Sequence, residues 1–264
     1  MPFTPSHALV ALPFVRTPLV PAAIAIGAMT PDLPLFLRGA GIGYGFTHTY
    51  ANVVWTSCIA FVLFVVWRAV LRPAVPELAP QGLARRLPPE WSEPGLASFR
   101  RAVGFGGSRW YPALLAASLL LGVASHILWD SFTHEGRWGV DVFPILDERW
   151  GPFTGFKWLQ YGSGAIALVI ITVWAVLRVT RSSPRASVVR VLPAAVRVSW
   201  WVSLPVILLT AWFMGVVAYG PLTAEFTVQH LAYRVLPPAC AIWGALTLVL
   251  CLLLPVFRRR HQRG

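Results

Sequence analysis

Long apolar stretches alternate with short polar stretches along most of this chain. A membrane-spanning helix needs about 20 predominantly apolar residues. Five stretches meet that length, at residues 52–71, 111–129, 158–177, 199–219 and 236–257. A sixth apolar stretch, residues 8–29, is interrupted by Arg16 and by three prolines. The pattern predicts an all-α polytopic membrane helix bundle, with five transmembrane helices and an N-terminal short-helix or re-entrant segment.

The N-terminal segment contains two signals for helix starts. Thr4-Pro5 and Thr30-Pro31 each place a capping residue before a proline that suits the first helical position. Thr17-Pro18 marks a break between them. One interpretation is a pair of short helices that dips into the membrane or lies along it, with His7 on the outer side. The other is a full span over residues 8–29, which would place His7 on the cytoplasmic side.

Composition supports a membrane protein. The chain is 56% hydrophobic and only 12% charged, whereas soluble domains carry about 25% charged residues. The net charge of +12 would suggest nucleic acid for a soluble chain. Here the basic residues fall between spans, so we expect no nucleic-acid partner. The three cysteines, Cys58, Cys240 and Cys251, lie within apolar stretches without zinc-ligand spacing.

The arginines also predict an orientation, because cytoplasmic loops of membrane proteins are enriched in Lys and Arg. We expect one integral membrane domain, residues 1–257, in the cell membrane with lipid as its partner. Arginines concentrate in three segments that should be cytoplasmic, residues 72–110, residues 178–198 and the basic tail 258–264. The outer loops are then residues 30–51, 130–157 and 220–235.

This orientation places several ionisable residues at one face of the membrane. His126 and Asp130, four residues apart on one predicted helix face, end the second apolar stretch. Such groups are costly in a membrane and usually have a function or a close partner. A purely structural alternative is a buried histidine whose ring N–H donates a hydrogen bond to the carboxylate one turn away. Asp32 alone fits a helix-dipole acid capped by Thr30.

His48 and His134 also have interpretations that involve no functional role. His48 could be an ordinary loop histidine, and His134 an interfacial residue near Gly136, a predicted helix C-cap. In a continuous helix His126 and His134 lie about 12 Å apart along the axis. One ion could then hardly bind both, so His126 and Asp130 rank above His134.

Taken together, these residues form a histidine and carboxylate set that suits a divalent metal ion, with zinc first and manganese or iron as alternatives. Gln160, at the start of the third span, could be an outer hydrogen-bond donor. Nearby tryptophans, Trp129 among them, could form an aromatic belt or wall a hydrophobic pocket. The candidate metal ligands are His7, Asp32, His48, His126, Asp130 and His134.

Three motifs resemble a known family. They are the opening Met1 to Ala8 (MPFTPSHA), Gly27 to Asp32 (GAMTPD) and Ser125 to His134 (SHILWDSFTH). They are similar to an uncharacterised bacterial membrane family, domain of unknown function 4184 (DUF4184). The resemblance runs to about Phe257.

A broader similarity is to the predicted membrane-bound metal-dependent hydrolases. Their pattern of an early His, Pro-Asp, Thr-His-Ser and His-x-x-x-Asp-x-x-Thr-x-x-Gly has its counterparts here. The matching residues are His7, Pro31-Asp32, Thr47-His48-Thr49, His126, Asp130, Thr133 and Gly136. Thr49 replaces the serine. The group's Asp-rich extension is missing, because Leu33-Pro34 follows Asp32, so a second metal is not implied. The similarity adds Thr133 as an outer neighbour of the site.

Three functions fit these observations. The first is a metal-dependent hydrolase at the extracytoplasmic membrane face that acts on a lipid or lipid-linked ester or phosphoester. The second is a transporter, or a proton- or cation-coupled membrane protein, that uses the His126 and Asp130 pair. The third is a structural membrane protein without catalysis. No general base and no protein partner can be assigned from the sequence.

Overall fold

The computed structural model describes residues 4–39, 41–93, 95–104 and 107–263. The first three residues of the opening motif and Gly264 of the basic tail lie outside these ranges. Within them the chain is an all-α protein, and each of the five predicted spans is a helix long and apolar enough to cross a membrane. All five are longer than predicted, although the second begins and the fourth ends at the predicted residue; they are Tyr50–Leu78, Tyr111–Thr133, Gly155–Thr180, Ala194–Tyr219 and Val228–Arg259.

The helices follow one another with short connections. The first part contains a 3₁₀ helix at Thr4–Phe14, α1 at Pro21–Met29, a 3₁₀ turn at Thr30–Asp32, α2 at Leu33–Phe36 and α3 at Tyr44–Thr47. The first span is built from a 3₁₀ turn at Tyr50–Asn52, α4 at Val53–Val66, a π-helical turn at Trp67–Leu71, a 3₁₀ turn at Arg72–Ala74 and α5 at Val75–Leu78. It is followed by α6 at Gln81–Ala84, a 3₁₀ turn at Pro89–Ser92 and α7 at Gly95–Ala102.

The remaining elements are α8 at Tyr111–Thr133, α9 at Trp138–Val142, a 3₁₀ turn at Pro144–Leu146, α10 at Gly155–Thr180, α11 at Ala194–Tyr219 and α12 at Val228–Arg263. Between the 3₁₀ turn and α10 lies a short antiparallel pair, β1 at Arg149–Trp150 and β2 at Phe153–Thr154.

The chain forms two compact units. The site unit comprises Met1–Leu33, Ile42–Val65 and Arg100–Arg181, and the second unit comprises Pro34–Gly41, Val66–Phe99 and Ser182–Gly264. All six candidate ligands belong to the site unit. Its main core contains Ala23, Ala60, Phe64, Ala102, Leu115, Leu119, Val123 and Ile127.

The N-terminal segment forms the predicted pair of short helices, and Thr17-Pro18 lies between them. The predicted capping by Thr30 is wrong, because its hydroxyl donates a 2.7 Å hydrogen bond back to the carbonyl oxygen of Ile26. Thr4 is also engaged elsewhere, since its hydroxyl donates to Asp32 Oδ2 at 2.7 Å. The choice between dipping and spanning stays a prediction.

Helices α1 and α8 pack backbone against backbone. A Cβ atom on Gly27 would lie 2.6 Å from the carbonyl oxygen of Leu119, and one on Gly122 would overlap the carbonyl oxygen of Ile24. The backbone N–H of Val20 also donates to Ser118 Oγ at 2.9 Å. Small residues allow such close approach in membrane helix pairs. This crossing brings the end of α1 alongside the polar end of α8.

The second unit has its own buried acid. The Glu77 carboxylate accepts hydrogen bonds from the backbone N–H groups of Val191 and Leu192 at 3.1 and 2.8 Å, and Arg197 lies 3.8 Å away. Buried carboxylates need such partners, so Glu77 has a structural explanation. The nearby core contains Ala74, Leu78, Leu192, Cys251 and Leu254. All three cysteines are free thiols.

Candidate metal centre

Four candidate side chains from three separate segments meet in the site unit. Asp32 ends the 3₁₀ turn after α1, His48 follows α3, and His126 and Asp130 lie one turn apart on α8. One ligand atom from each lies within 4.8 Å of the other three, and all four residues are buried. We call Asp32, His48, His126 and Asp130 the tetrad.

Five of the six distances within the tetrad are nearly uniform. The two histidine Nε2 atoms are 3.2 Å apart. Asp32 Oδ1 lies 3.5 Å from His48 Nε2 and 3.4 Å from His126 Nε2. Asp130 Oδ2 lies 3.5 and 3.3 Å from the same two atoms. Ligands at about 2.0–2.1 Å from a tetrahedral zinc ion would be about 3.3–3.4 Å from one another, so the tetrad has the size of a zinc shell.

Backbone carbonyls set the orientation of both imidazoles. His126 Nδ1 lies 2.6 Å from the carbonyl oxygen of Ala28, and His48 Nδ1 lies 3.0 Å from that of Tyr44. A carbonyl oxygen only accepts, so each Nδ1 carries the hydrogen in these bonds. In the neutral ring Nε2 then presents a lone pair, and both lone pairs are directed at the centre of the tetrad.

The two carboxylates add further acceptors at the same point. Asp32 Oδ1 and Asp130 Oδ2 are buried and have no hydrogen-bond partner among the described residues. Doubly protonated imidazoles could donate to them, but two N–H groups would then face each other across 3.2 Å. Buried acceptors without partners are costly, and a cation among four electron-pair donors removes that cost. The chemistry of the donor set therefore fits a metal ion, and this buried group could hold one.

The surroundings also affect ionisation of Asp32 and His48. Burial opposes ionisation of Asp32, but the nearby imidazoles of His126 and His48 and the hydrogen bond from Thr4 outweigh it and hold the pKa of Asp32 well below its usual range. For His48, burial disfavours the cation, but the carboxylates of Asp130 and Asp32 more than offset this and raise its pKa above the ordinary value. Asp32 is thus already ionised for binding, while His48 must give up any proton to a metal.

His7 and His134 lie beside the tetrad. His7 Nε2 is 3.8 Å and His134 Nδ1 is 3.6 Å from Asp130 Oδ1, the oxygen that is outside the tetrad. The His7 ring also stacks on His126, with centroids 4.0 Å apart. Burial is the main cause that lowers the pKa of His7 to about 4. His7 is therefore neutral at physiological pH.

His134 lies at the end of α8, one helical turn after Asp130. The helix stops at Thr133, and His134 is extended with φ −132° and ψ 139°. Because the helix is continuous from His126 to Thr133, most of the predicted axial separation between His126 and His134 remains, and His134 lies outside the tetrad. Gly136 follows with a positive φ of 68°, which glycine adopts without strain.

The predicted outer residues contact His134. Gln160 Nε2 lies 2.8 Å from His134 Nε2, and Thr133 Oγ lies 3.2 Å from His134 Nδ1. The sequence interpretation assigned no hydrogen bond at the site to Thr4 or Thr47. The Thr4 hydroxyl donates to Asp32. The Thr47 hydroxyl donates to the Pro31 carbonyl oxygen at 2.7 Å and lies 3.2 Å from His48 Nδ1. The position of Thr47 directly before a candidate ligand was the available signal.

A cavity of about 620 Å³ adjoins the tetrad. Its wall consists of the N-terminal 3₁₀ helix, α8 and α10, and Asp130 connects it with the tetrad. His7, His134 and Gln160 lie at this polar end, and Trp129 forms part of the wall, as one interpretation of the tryptophans predicted. The apolar wall includes Leu9, Val10, Pro13, Leu128, Ile166 and Ala167.

Comparison with known proteins supports one of the two resemblances. No curated protein and no solved structure matches the chain, so the hydrolase similarity stays a prediction. A family model described as a domain of unknown function, DUF4184, matches residues 1–256. Its match covers the N-terminal helices, the five spans up to residue 256, and every tetrad residue, and the chain therefore belongs to the DUF4184 family.

Proposed function

We propose that this protein is a metal-dependent membrane hydrolase whose ion is held by Asp32, His48, His126 and Asp130. One observation carries the proposal. Five nitrogen–nitrogen and nitrogen–oxygen distances within the tetrad fall between 3.2 and 3.5 Å, close to those between the ligands of a tetrahedral zinc ion. A pair of residues that only fixed helix packing would not need two imidazoles and two carboxylates at one point.

Zinc fits the tetrad best. Adjacent ligands of an octahedral ion at about 2.1 Å lie about 3.0 Å apart, which is shorter than the five distances measured here. Two imidazoles and two carboxylates also form a donor set that zinc accepts. When bound, a divalent ion would polarise an ester or phosphoester oxygen and lower the pKa of a water molecule.

The chain's own residues supply the rest of the site. His7 and His134 present imidazoles between Asp130 and the cavity, where they can hydrogen-bond a reacting group. Gln160 holds His134 through Nε2, and Ala28 and Tyr44 fix the two tetrad rings. Burial of the tetrad excludes bulk water, which strengthens electrostatic interactions with a developing charge.

The position of the site suggests a lipid or lipid-linked substrate. Asp130 lies near the end of a helix that is apolar and long enough to cross a membrane, so the site would be near the level of lipid head groups. The arginine pattern predicts that this end of the helix lies at the extracytoplasmic face. A substrate anchored in the bilayer would reach such a site by diffusion within the membrane.

A structural metal site is the second candidate. Four protein ligands complete a tetrahedron, and structural zinc sites are closed in this way, whereas catalytic sites keep a position open. Such an ion would join the N-terminal segment, the α3 region and α8. The cavity beside Asp130 favours catalysis, because a purely structural ion needs no access from a cavity of this size.

Metal analysis of purified protein tests the proposal. We expect about one zinc ion per chain in the wild type, and loss of that zinc in His126→Ala and in the double variant His126→Ala/Asp130→Ala. His230→Ala is the matched control, because His230 is an exposed histidine outside the tetrad. If the wild type and the double variant both lack stoichiometric metal after supplementation, the metal hydrolase is wrong.

Access of a small ligand to the ion distinguishes the catalytic site from the structural site. In cobalt-substituted protein, a small hydroxamate should change the visible absorption spectrum if a coordination position can open on the cavity side. A closed structural site would leave the spectrum unchanged while still losing cobalt in His126→Ala. Ester hydrolysis that requires the ion would then identify the catalytic function.

A further inference from the structure

The cavity beside the tetrad has one polar end and one apolar end. Its polar end contains His7, Asp130, His134 and Gln160. From Gln160 to Ala167 the wall on α10 extends about 10 Å, at 1.5 Å per residue. The wall on the 3₁₀ helix runs from His7 to Pro13 for about 12 Å, at 2.0 Å per residue. This shape suits a ligand with a polar head and an apolar chain.

The apolar wall continues to the outside of the helices. Leu128 is 48% exposed and Ile166 is 61% exposed, although both line the cavity and belong to helices long enough to span a membrane. In a bilayer such exposed apolar side chains face lipid. An apolar chain can therefore pass between the cavity and the membrane without crossing water.

The charge of the polar end restricts the head group. No Lys or Arg is found among the described residues that line the cavity, and the one acidic side chain among them is that of Asp130. His7 is neutral. A divalent ion in the tetrad would only balance the charges of Asp32 and Asp130. An anionic head would thus add uncompensated negative charge at a buried place, which is unfavourable.

We propose that this cavity binds a long-chain lipid whose head is an uncharged carboxylic ester or amide, and that it discriminates against lipid phosphates. That this lipid is a substrate rests on the proposed hydrolase, but its binding to the cavity can be tested without catalysis. The apolar chain of the lipid lies along the wall formed by Val10, Leu128 and Ile166. Its carbonyl group lies at the end formed by His7, His134 and Gln160.

Two probes with the same chain isolate the head group. A hexadecylglycerol ether is uncharged and cannot be hydrolysed as an ester, whereas hexadecyl phosphate is anionic. Both partition similarly into detergent micelles, so a difference at equal mole fraction reports the head group. Binding measured by native mass spectrometry should favour the ether by about tenfold or more, as expected where an anion meets a carboxylate without a cation.

Variants test the location. Ala167 is buried and lines the cavity, so Ala167→Phe should reduce ether binding at least about fivefold by filling space that the hexadecyl group needs. Val169→Phe on the same helix is the matched control, because Val169 is 62% exposed and outside the cavity. Gln160→Arg adds a cation to the polar end and should raise binding of hexadecyl phosphate relative to the ether.

The outcomes separate this inference from the proposed function. Equal or tighter binding of hexadecyl phosphate by the wild type overturns the substrate class, even if zinc is present. Unchanged ether binding in Ala167→Phe overturns the location. Ether binding that persists in metal-free His126→Ala and responds to both cavity variants supports the inference even if the hydrolase is wrong.

Discussion

The hydroxyl of Thr47 donates a 2.7 Å hydrogen bond to the carbonyl oxygen of Pro31. This bond joins two segments that each carry a tetrad residue, because Asp32 follows Pro31 and His48 follows Thr47. Thr47 Oγ also lies 3.2 Å from His48 Nδ1. Two ligands from separate segments are thereby held at a fixed spacing before any metal binds.

Thr47→Val should weaken metal binding while leaving all four ligands in place. Loss of an outer hydrogen bond to a metal-ligating histidine typically costs about 10–100-fold in metal affinity. We expect a loss in that range, measured by competition with a zinc chelator in detergent. Thr47→Ser keeps the hydroxyl and should bind almost as the wild type does. Equal weakening by both variants would contradict the explanation by the hydrogen bond, because Thr47→Ser keeps the hydroxyl.

Gly122→Ala should disturb the tetrad from a distance. A methyl group at this position would overlap the carbonyl oxygen of Ile24, so α1 must move away from α8, and Asp32 moves with it. Overpacking of this kind costs about 1–3 kcal/mol. We expect a lower unfolding temperature and a lower zinc content, measured on the same preparation.

Gly162→Ala is the control for that substitution. Gly162 lies on α10, where a methyl group would meet no atom within 4 Å, and alanine is the better helix former by about 1 kcal/mol. This variant should keep its zinc and its stability. The explanation by helix crossing is wrong if both glycine variants behave alike.

The sequence was sufficient to predict the five spanning helices and to name all four tetrad residues as candidate ligands. Each span could be predicted because an uninterrupted apolar run of that length has few other solutions. Asp32, His48, His126 and Asp130 could be brought together because the arginine pattern placed them at one face. Their spacing could not be predicted, because it depends on the close crossing of α1 and α8 and on the carbonyl oxygens of Ala28 and Tyr44.

The parts of the site formed by backbone were invisible in the sequence. A carbonyl group occurs at every residue, so no residue type marks the two that orient His126 and His48. The bond from Thr4 to Asp32 also joins residues 28 positions apart, and the capping motif at Thr4-Pro5 favoured a different use of that hydroxyl. Pattern reasoning is strongest for buried faces and weakest for such contacts between segments.

His7→Ala and His134→Ala should test whether these two residues are metal ligands, as the sequence alone suggested. In the structure they contact Asp130 Oδ1, outside the tetrad. We therefore expect zinc content close to that of the wild type in both variants and a loss of metal-dependent ester hydrolysis. Zinc content that falls as far as in His126→Ala would restore them as ligands.

Stabilisation by zinc should increase with pH. In the metal-free protein the pKa of His48 is raised above its ordinary value of 6.5, so protonation stabilises the folded state. That contribution is complete below about pH 6.5 and is lost as pH rises through the raised pKa. Zinc must displace the same proton, so its stabilisation should grow by up to about 1.4 kcal/mol per pH unit and level off above the raised pKa.

Thermal unfolding of zinc-loaded and chelator-treated protein at pH 6, 7 and 8 (roughly spanning the ordinary histidine range) measures this difference. His230→Ala should preserve the trend, whereas a difference that stays constant or shrinks with pH would show that zinc binding at the tetrad displaces no proton from His48.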